Sequence, residues 1–516
     1  MLLLTVSCQP NPRIDQQVSV TINHDNQTSQ VTLNSGATVL DALEEAGITL
    51  GALDKVNPAV MVDVAEGMII NVIRVREEFE IEEQYIEFQR QTVRNESLPE
   101  GQTLLIQPGI NGARQVTYRR LFENDIEVSK TEFKVITLKE AQPEIVMVGV
   151  QTPFTSISIP GTLAYLTAGN AWIIEGATAN RRPIVTTGDL DGRIFELSPD
   201  AEWLLFTRKT PDSSEENINS LWVVNVKDKQ PTPISLFVNN VIHHGEWVPG
   251  TTTRSFTYST VEPRTTAPGW QANNDFNIMS ISAEGAITRR QQIIEPNSGG
   301  IYGWWGTDFT WSPDSTEIAY ARPDGIGLVD FQEGATSPLL DIPPLQTRGD
   351  WAWVPNISWS EDHAIIYTTN HVAGNGITSV EASPFFDLIA IPVDTGQPIA
   401  IVEGTGMFAY PVLSPSNQGG RYQIAYLQAA YPEQSESSSY ALYLADRDGS
   451  NRTKVFPIDT SAGLEPQEIS WMFSETDANI NGIAFIYKGN LWIYNTLANQ
   501  SQQITGDETI TKIDWN

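Results

Sequence analysis

The chain has 516 residues, 18% of them charged and 40% hydrophobic, which is enough apolar material for packed cores and excludes a globally disordered protein. Its 63 acidic residues against 31 basic give a formal charge of −32, a field that repels polyphosphate and anionic lipid headgroups. Nucleic acid is therefore excluded as a partner, any attachment to a membrane has to come from an anchor, and the length predicts two to four domains.

The single cysteine, Cys8, follows Leu2-Leu3-Leu4-Thr5-Val6-Ser7 and precedes the polar stretch from Gln9 to Gln17. This arrangement resembles the end of a bacterial lipoprotein signal, although no Lys or Arg precedes the apolar run and Thr5 stands where such signals usually carry Leu. The resemblance implies that Cys8 is lipidated and that residues 1–17 are signal remnant, anchor and tether. No thiol then remains for a disulfide, a metal site or a nucleophile. No other stretch reaches the roughly 18 apolar residues of a spanning helix.

Val18-Ser19-Val20-Thr21-Ile22 and Val31-Thr32-Leu33 alternate around a polar turn, the pattern of a hairpin. Thr38 then caps a helical run from Val39 to Ala46, stopped by Gly47, and Met68–Ile73 reads as a buried strand. Hairpin, helix and strand in that order predict a ubiquitin-like β-grasp over 18–75. The phrase Ala37–Leu43 with Gly47, Ile48, Asp54, Pro58 and Gly67 resembles a small envelope domain that commonly precedes a G-five domain. The next segment, 76–150, is similar to that neighbour: Ile86-Glu87-Phe88, Leu98-Pro99-Glu100-Gly101, Gln107-Pro108-Gly109, Gly112, Val116-Thr117-Tyr118 and Val148-Gly149 follow the G-five order. Gly109 and Gly112 are expected to permit tight turns, and Asn124-Asp125 replaces a turn glycine with residues that tolerate the same backbone. The resemblance implies an extracytoplasmic location and either adhesion to wall glycan or a stiff spacer.

From Ile159 the chain repeats itself. Phe195-Glu196-Leu197-Ser198-Pro199-Asp200 matches Phe309-Thr310-Trp311-Ser312-Pro313-Asp314, with variants around Trp247, Trp359, Leu413 and Trp471. Each phrase leads into one hydrophobic strand, a second, and a weaker last one. The pattern resembles the TolB-like repeat, one four-stranded propeller blade per unit. Six such inner-strand phrases are followed by a seventh, Ile510–Trp515, whereas the repeat starting near Gly161 lacks its own. The terminal segment is thus expected to supply the missing strand and close a seven-bladed β-propeller over 159–516; six or eight blades remain open because the third and sixth repeats are degenerate. The fold class is mainly β, with the two small domains ahead of the propeller.

On the face bearing the long connections between second and third strands, the loops entering the inner strands carry Tyr302, Trp304, Trp305, Trp351 and Trp353. His243 and His244 occupy the equivalent loop of the third blade, and Trp270 lies in its long insertion. Aromatic platforms suit sugar rings, so these eight residues form the candidate ligand site, set against the alternative that they plug the rim or pack beneath the insertions. The adjacent histidines point to opposite sides of a strand and make a poor metal pair. Neither a nucleophile elbow, a zincin helix, a phosphate-binding loop nor a dinucleotide fingerprint occurs, so no catalytic residue, metal or cofactor is assigned. The sequence reads as a non-catalytic surface protein binding cell-wall glycan or an envelope protein. A glycan-active propeller enzyme (lyase or hydrolase) and a scaffold for an envelope complex are the alternatives.

Overall fold

The computed structural model describes residues 17–95, 101–149, 154–210, 217–250, 254–297, 302–347, 349–374, 376, 379–416, 420–459, 461–473 and 481–516. Cys8 lies outside them. Two compact units emerge, one of residues 1–89 and 109–142, the other of 90–108 and 143–516. Among the described residues no helix is long and apolar enough to cross a membrane.

In the first unit, Gln17–His24 pairs with Gln27–Asn34 on one side and, in parallel, with Ile69–Ile73 on the other, and Lys55–Asn57 completes a four-stranded sheet. The helix Val39–Glu45 starts at Thr38, whose hydroxyl accepts from the Asp41 N–H while Asp41 accepts from the Thr38 N–H. Its Val39, Ala42 and Leu43 meet Val20, Ile22, Ile70 and Val72 in the core, so this is a β-grasp. A second sheet of three antiparallel strands follows: Val75–Ile86, Gly112–Glu123 and Ile126–Lys139. Asn124 and Asp125 both take left-handed conformations in its turn, at φ 47° and 67°. Gly109 and Gly112 serve close approach and not left-handed turns: a Cβ at Gly109 would lie 2.2 Å from the Phe88 ring, and one at Gly112 2.5 Å from the Lys139 carbonyl. Asp54 sits where the two sheets adjoin. It accepts from the Gly51 and Val75 N–H groups and from Arg74, bonds that outweigh its burial and hold its pKa below the usual range.

The second unit opens with Arg90–Asn95 parallel to Glu144–Gly149, which pairs on its other edge with Thr103–Gln107. Ile145 and Met147 from this sheet join a core with Leu163, Tyr165 and Trp172. Seven four-stranded sheets then form the propeller. Blades 2 to 7 begin at the inner strands Leu190–Leu197, Gly245–Trp247, Asp308–Trp311, Ile357–Trp359, Val412–Leu413 and Ser470–Phe473. Blade 1 takes Ser158–Thr167, Asn170–Ala177 and Arg181–Val185 from its own repeat, and Ile510–Trp515 from the end of the chain. The repeated Ser-Pro-Asp phrase acts by one device. The Ser198, Ser312 and Ser360 hydroxyls donate to Asp200, Asp314 and Asp362, and accept from the N–H of Trp203, Glu317 and Ile365 as the next strand starts. Blade 3 carries an extra hairpin, Val261–Pro263 with Trp270–Ala272.

Removing the last ten residues, 507–516, deletes the inner strand of blade 1 and uncovers the edge of Ser158–Thr167. Ile510 and Trp515 are both buried there. At roughly 1.5–3 kcal/mol per large apolar side chain, the expected loss is at least about 3 kcal/mol, with aggregation through the new edge. A truncated chain that melts with the parent and stays monomeric in light scattering would contradict this closure.

Candidate ligand site at the channel mouth

An inner strand has a neighbour on one side only, so its other edge turns toward the propeller axis. Successive side chains alternate, and the positions just before the buried strand-end residues Leu197, Trp247 and Trp515 are Glu196, Glu246 and Asp514. Two of these carboxylates satisfy a neighbouring blade: Asp514 accepts from the Leu197 N–H at 2.5 Å, and Glu246 from the Trp311 N–H at 3.1 Å. Toward the mouth, Lys512 pairs with Glu468 at 3.4 Å, and Asp308 from blade 4 senses both across the axis. The Asp308 side chain is 45% exposed, and the protein packed around it is still the main influence on its carboxyl.

Enclosure costs an ionised carboxylate its hydration. It pushes Asp308 up to about 7, with Glu468 adding repulsion, and Asp514 up to about 6 against the pull of two backbone N–H groups. Glu196 and Glu246 are raised for the same reason, Glu196 further by Asp514 and Glu468. Lys512 is held protonated, chiefly by Glu468. Asp308 and Asp514 can give or accept protons near neutrality.

Of the eight predicted residues, the structure gathers some and scatters others. The blade 3 hairpin brings Trp270 to His243, their ring centres 6.0 Å apart and edge-on, and Arg193 lies 5.4 Å over the Trp270 ring. The segment Gly303–Trp305 forms a single 3₁₀ turn beside this hairpin, pinned where Asn274 donates to the Gly303 carbonyl. Tyr302, Trp304 and Trp305 are half-buried, with Arg264 5.9 Å from the Trp304 ring. Gly306 lies against His243: at φ 107°, a Cβ there would come within 2.6 Å of the imidazole. Trp270 Nε1 and His243 Nε2 are both buried without a hydrogen-bond partner among the described residues. Burial lowers the His243 pKa to about 4, with Arg193 contributing, so the ring is neutral.

Three predicted positions belong elsewhere. Trp353 is a core residue, 2% exposed, whose indole donates to the Met407 carbonyl at 2.9 Å, and half-buried Trp351 packs against the same cluster. His244 turns away from His243 into the interior, between Phe276 and Phe309, with Nε2 2.8 Å from the Thr257 hydroxyl. These loops fold inward because their rings find apolar neighbours and a polar partner below the surface. Conversely, Glu196, Glu246, Asp308, Glu468, Lys512, Asp514 and Arg193 were not singled out in the sequence. Alternation along each inner strand was the signal that could have found the acids.

Residues 77–151 match the family model of the G5 domain, and residues 20–60 that of the G5-linked-Ubiquitin-like domain. The chain contains a G5 domain. No curated protein matches the chain in sequence. Among solved structures, the G5 domain of an IgA1 protease is 28% identical over 16% of this chain and 94% of its own, at a TM-score of 0.12. The Pseudomonas aeruginosa periplasmic gluconolactonase PpgL is 11% identical over 68% of this chain and 98% of its own, at 0.42. An oligogalacturonate lyase in complex with manganese is 15% identical over 71% and 90%, at 0.37. The propeller behind the G5 domain rests on the blade pattern described above.

A carboxyl whose pKa rises on folding binds its proton more tightly in the native state. Its stabilising effect is complete below the unfolded value near 3.8 and is lost as pH climbs through about 7. Asp308→Asn is therefore expected to raise the melting temperature near about pH 8 and to change it little near about pH 4. The histidines, whose pKa values fall, act with the opposite sign in both proteins and cancel in the comparison. An equal shift at both pH values would refute a perturbed Asp308.

Proposed function

We propose that this chain is a cell-envelope protein whose propeller holds a glycan over the mouth of its channel, while the G5 module associates with the cell wall. One observation supports the ligand site above all: Trp270 Nε1 and His243 Nε2 are buried at one place with no hydrogen-bond partner among the described residues. Polar atoms are seldom left so, because an unpaired buried donor is costly. A sugar ring would offer hydroxyls to both nitrogens and its apolar C–H face to Trp270 and the Trp304 turn, beside the exposed Arg193. The G5 assignment supports the extracytoplasmic location, and lipidation of Cys8 is the anchor we propose.

The test is a glycan array probed with the full chain, followed by titration of the best ligand. Trp270→Phe keeps a smaller aromatic face and removes the N–H, so binding is expected to weaken by roughly threefold to tenfold while circular dichroism shows the fold retained. Trp270→Ala should abolish it. Array binding that both variants retain would overturn the site. For the anchor, Cys8→Ser should move the native protein from the membrane fraction to the soluble one; retention in the membrane fraction contradicts lipidation.

A second reading, a glycan-active enzyme, draws on Asp308. A carboxyl that keeps its proton to about pH 7 and stands 3.9 Å from His244 is suited to donate it to a leaving group. New reducing ends or unsaturated products formed from an array ligand by the parent, and not by Asp308→Asn, would favour it. Binding without turnover leaves the non-catalytic reading in place.

A further inference from the structure

Away from the channel mouth, the last strand of blade 6 and the outer half of blade 7 enclose a groove of about 520 Å³, within the range of small-molecule sites. Its wall is aromatic. Phe456 lies 4.9 Å from Tyr487 and 5.5 Å from Trp492, and Tyr487 lies 5.8 Å from Trp492, with the Tyr487 ring edge-on to both. Such packing would be an ordinary interblade core but for its polar atoms. The Tyr487 hydroxyl, Trp492 Nε1 and the Ser501 hydroxyl are all hidden from bulk solvent, and none has a hydrogen-bond partner among the described residues. Tyr487 as a whole is only 9% exposed. At the rim, exposed Lys488 holds its ammonium 5.2 Å from the Tyr487 ring centre, and Ile458 is 71% exposed.

We infer that this groove is a second carbohydrate site, independent of the one proposed at the channel mouth. An apolar guest would cover the rings and leave three polar atoms unpaired. The rings need cover and the polar atoms need partners, whereas charge does not select the guest, because Lys488 and Asp459 both line the groove. A pyranose ring satisfies both demands, because its C–H face covers aromatic carbon while its hydroxyls donate and accept. Two of the three unpaired groups are hydroxyls that do the same, and the third is an N–H donor that a sugar oxygen accepts. The groups come from the second, third and fourth strands of blade 7, on rigid elements that fix their spacing.

The test uses the full chain titrated with chitotriose and with cellotriose, read by calorimetry. One of the two is expected to bind saturably. Tyr487→Phe, which keeps the ring and removes the hydroxyl, and Trp492→Phe, which keeps a smaller aromatic face and removes the N–H, should each weaken binding by roughly threefold to tenfold. Tyr487→Phe should melt at or above the parent temperature, because it deletes an unpaired buried group without shrinking the ring, so weaker binding in that variant cannot be ascribed to unfolding. Trp270→Ala, at the channel mouth, should leave this binding unchanged. Neither trisaccharide binding, or binding indifferent to both phenylalanine variants, overturns the inference. Binding lost only in Trp270→Ala also overturns it, and assigns the sugar to the channel mouth instead.

Discussion

Every blade ends at its inner strand in a row of backbone N–H and C=O groups with no further strand to pair with, and the propeller is organised by how neighbouring blades satisfy that row. The tryptophan that closes an inner strand reaches back to the blade before it. Trp247 donates its indole N–H to the Glu196 carbonyl, Trp359 to Thr310 and Trp471 to Val412, at 3.0–3.1 Å. The carboxylates work in the other direction, Asp514 and Glu246 each accepting an N–H from the blade that follows. Trp311 departs from the rule and donates to the Thr257 hydroxyl one strand further out. A ring of separate sheets thus acquires lateral hydrogen bonds that sheet pairing alone does not provide.

The same constraint explains what was legible in the sequence. Tryptophan and the Ser-Pro-Asp turn recur because each blade needs the same bond and the same turn, so the repeat and the closing strand at Ile510–Trp515 stand out. The channel acids do not recur: the position before the repeated Leu or Trp is Glu196, Glu246, Thr310, Ser358, Val412, Ser470 and Asp514 in turn. What they share is a direction, and direction shows only once strands are placed. Trp353 and Trp304 look alike in a loop, yet one finds the Met407 carbonyl beneath it and the other does not. The blade 7 groove was invisible for a different reason. Phe456, Tyr487, Trp492 and Ser501 come from four strands, and no local spacing relates them.

The three-stranded sheet of the first unit is built on another principle. Its outer strands are exposed along most of their length, Tyr85 at 84% and Phe133 at 63%, so burial contributes little. Cross-strand pairs take its place: Lys130 donates to Glu82 and stands 4.4 Å over the Tyr118 ring, Arg119 donates to Glu77, and Phe79 meets Phe133 edge-on. Exposed ion pairs are weak singly and screened by salt, whereas a buried blade core is not. The two units of one chain therefore respond differently to ionic strength.

The closure of blade 1 also governs when the propeller can exist at all. Trp515 donates to the Pro160 carbonyl, two groups 355 residues apart in the chain. A polypeptide emerging from a ribosome can complete blades 2 to 6 as they appear, but the first blade waits with a bare edge until Ile510–Trp515 arrives. Contacts of such long sequence separation are slow to form, and the waiting edge is a template for pairing with other chains. For this protein the hazardous interval of folding is set by the time taken to deliver Ile510–Trp515 to the first blade.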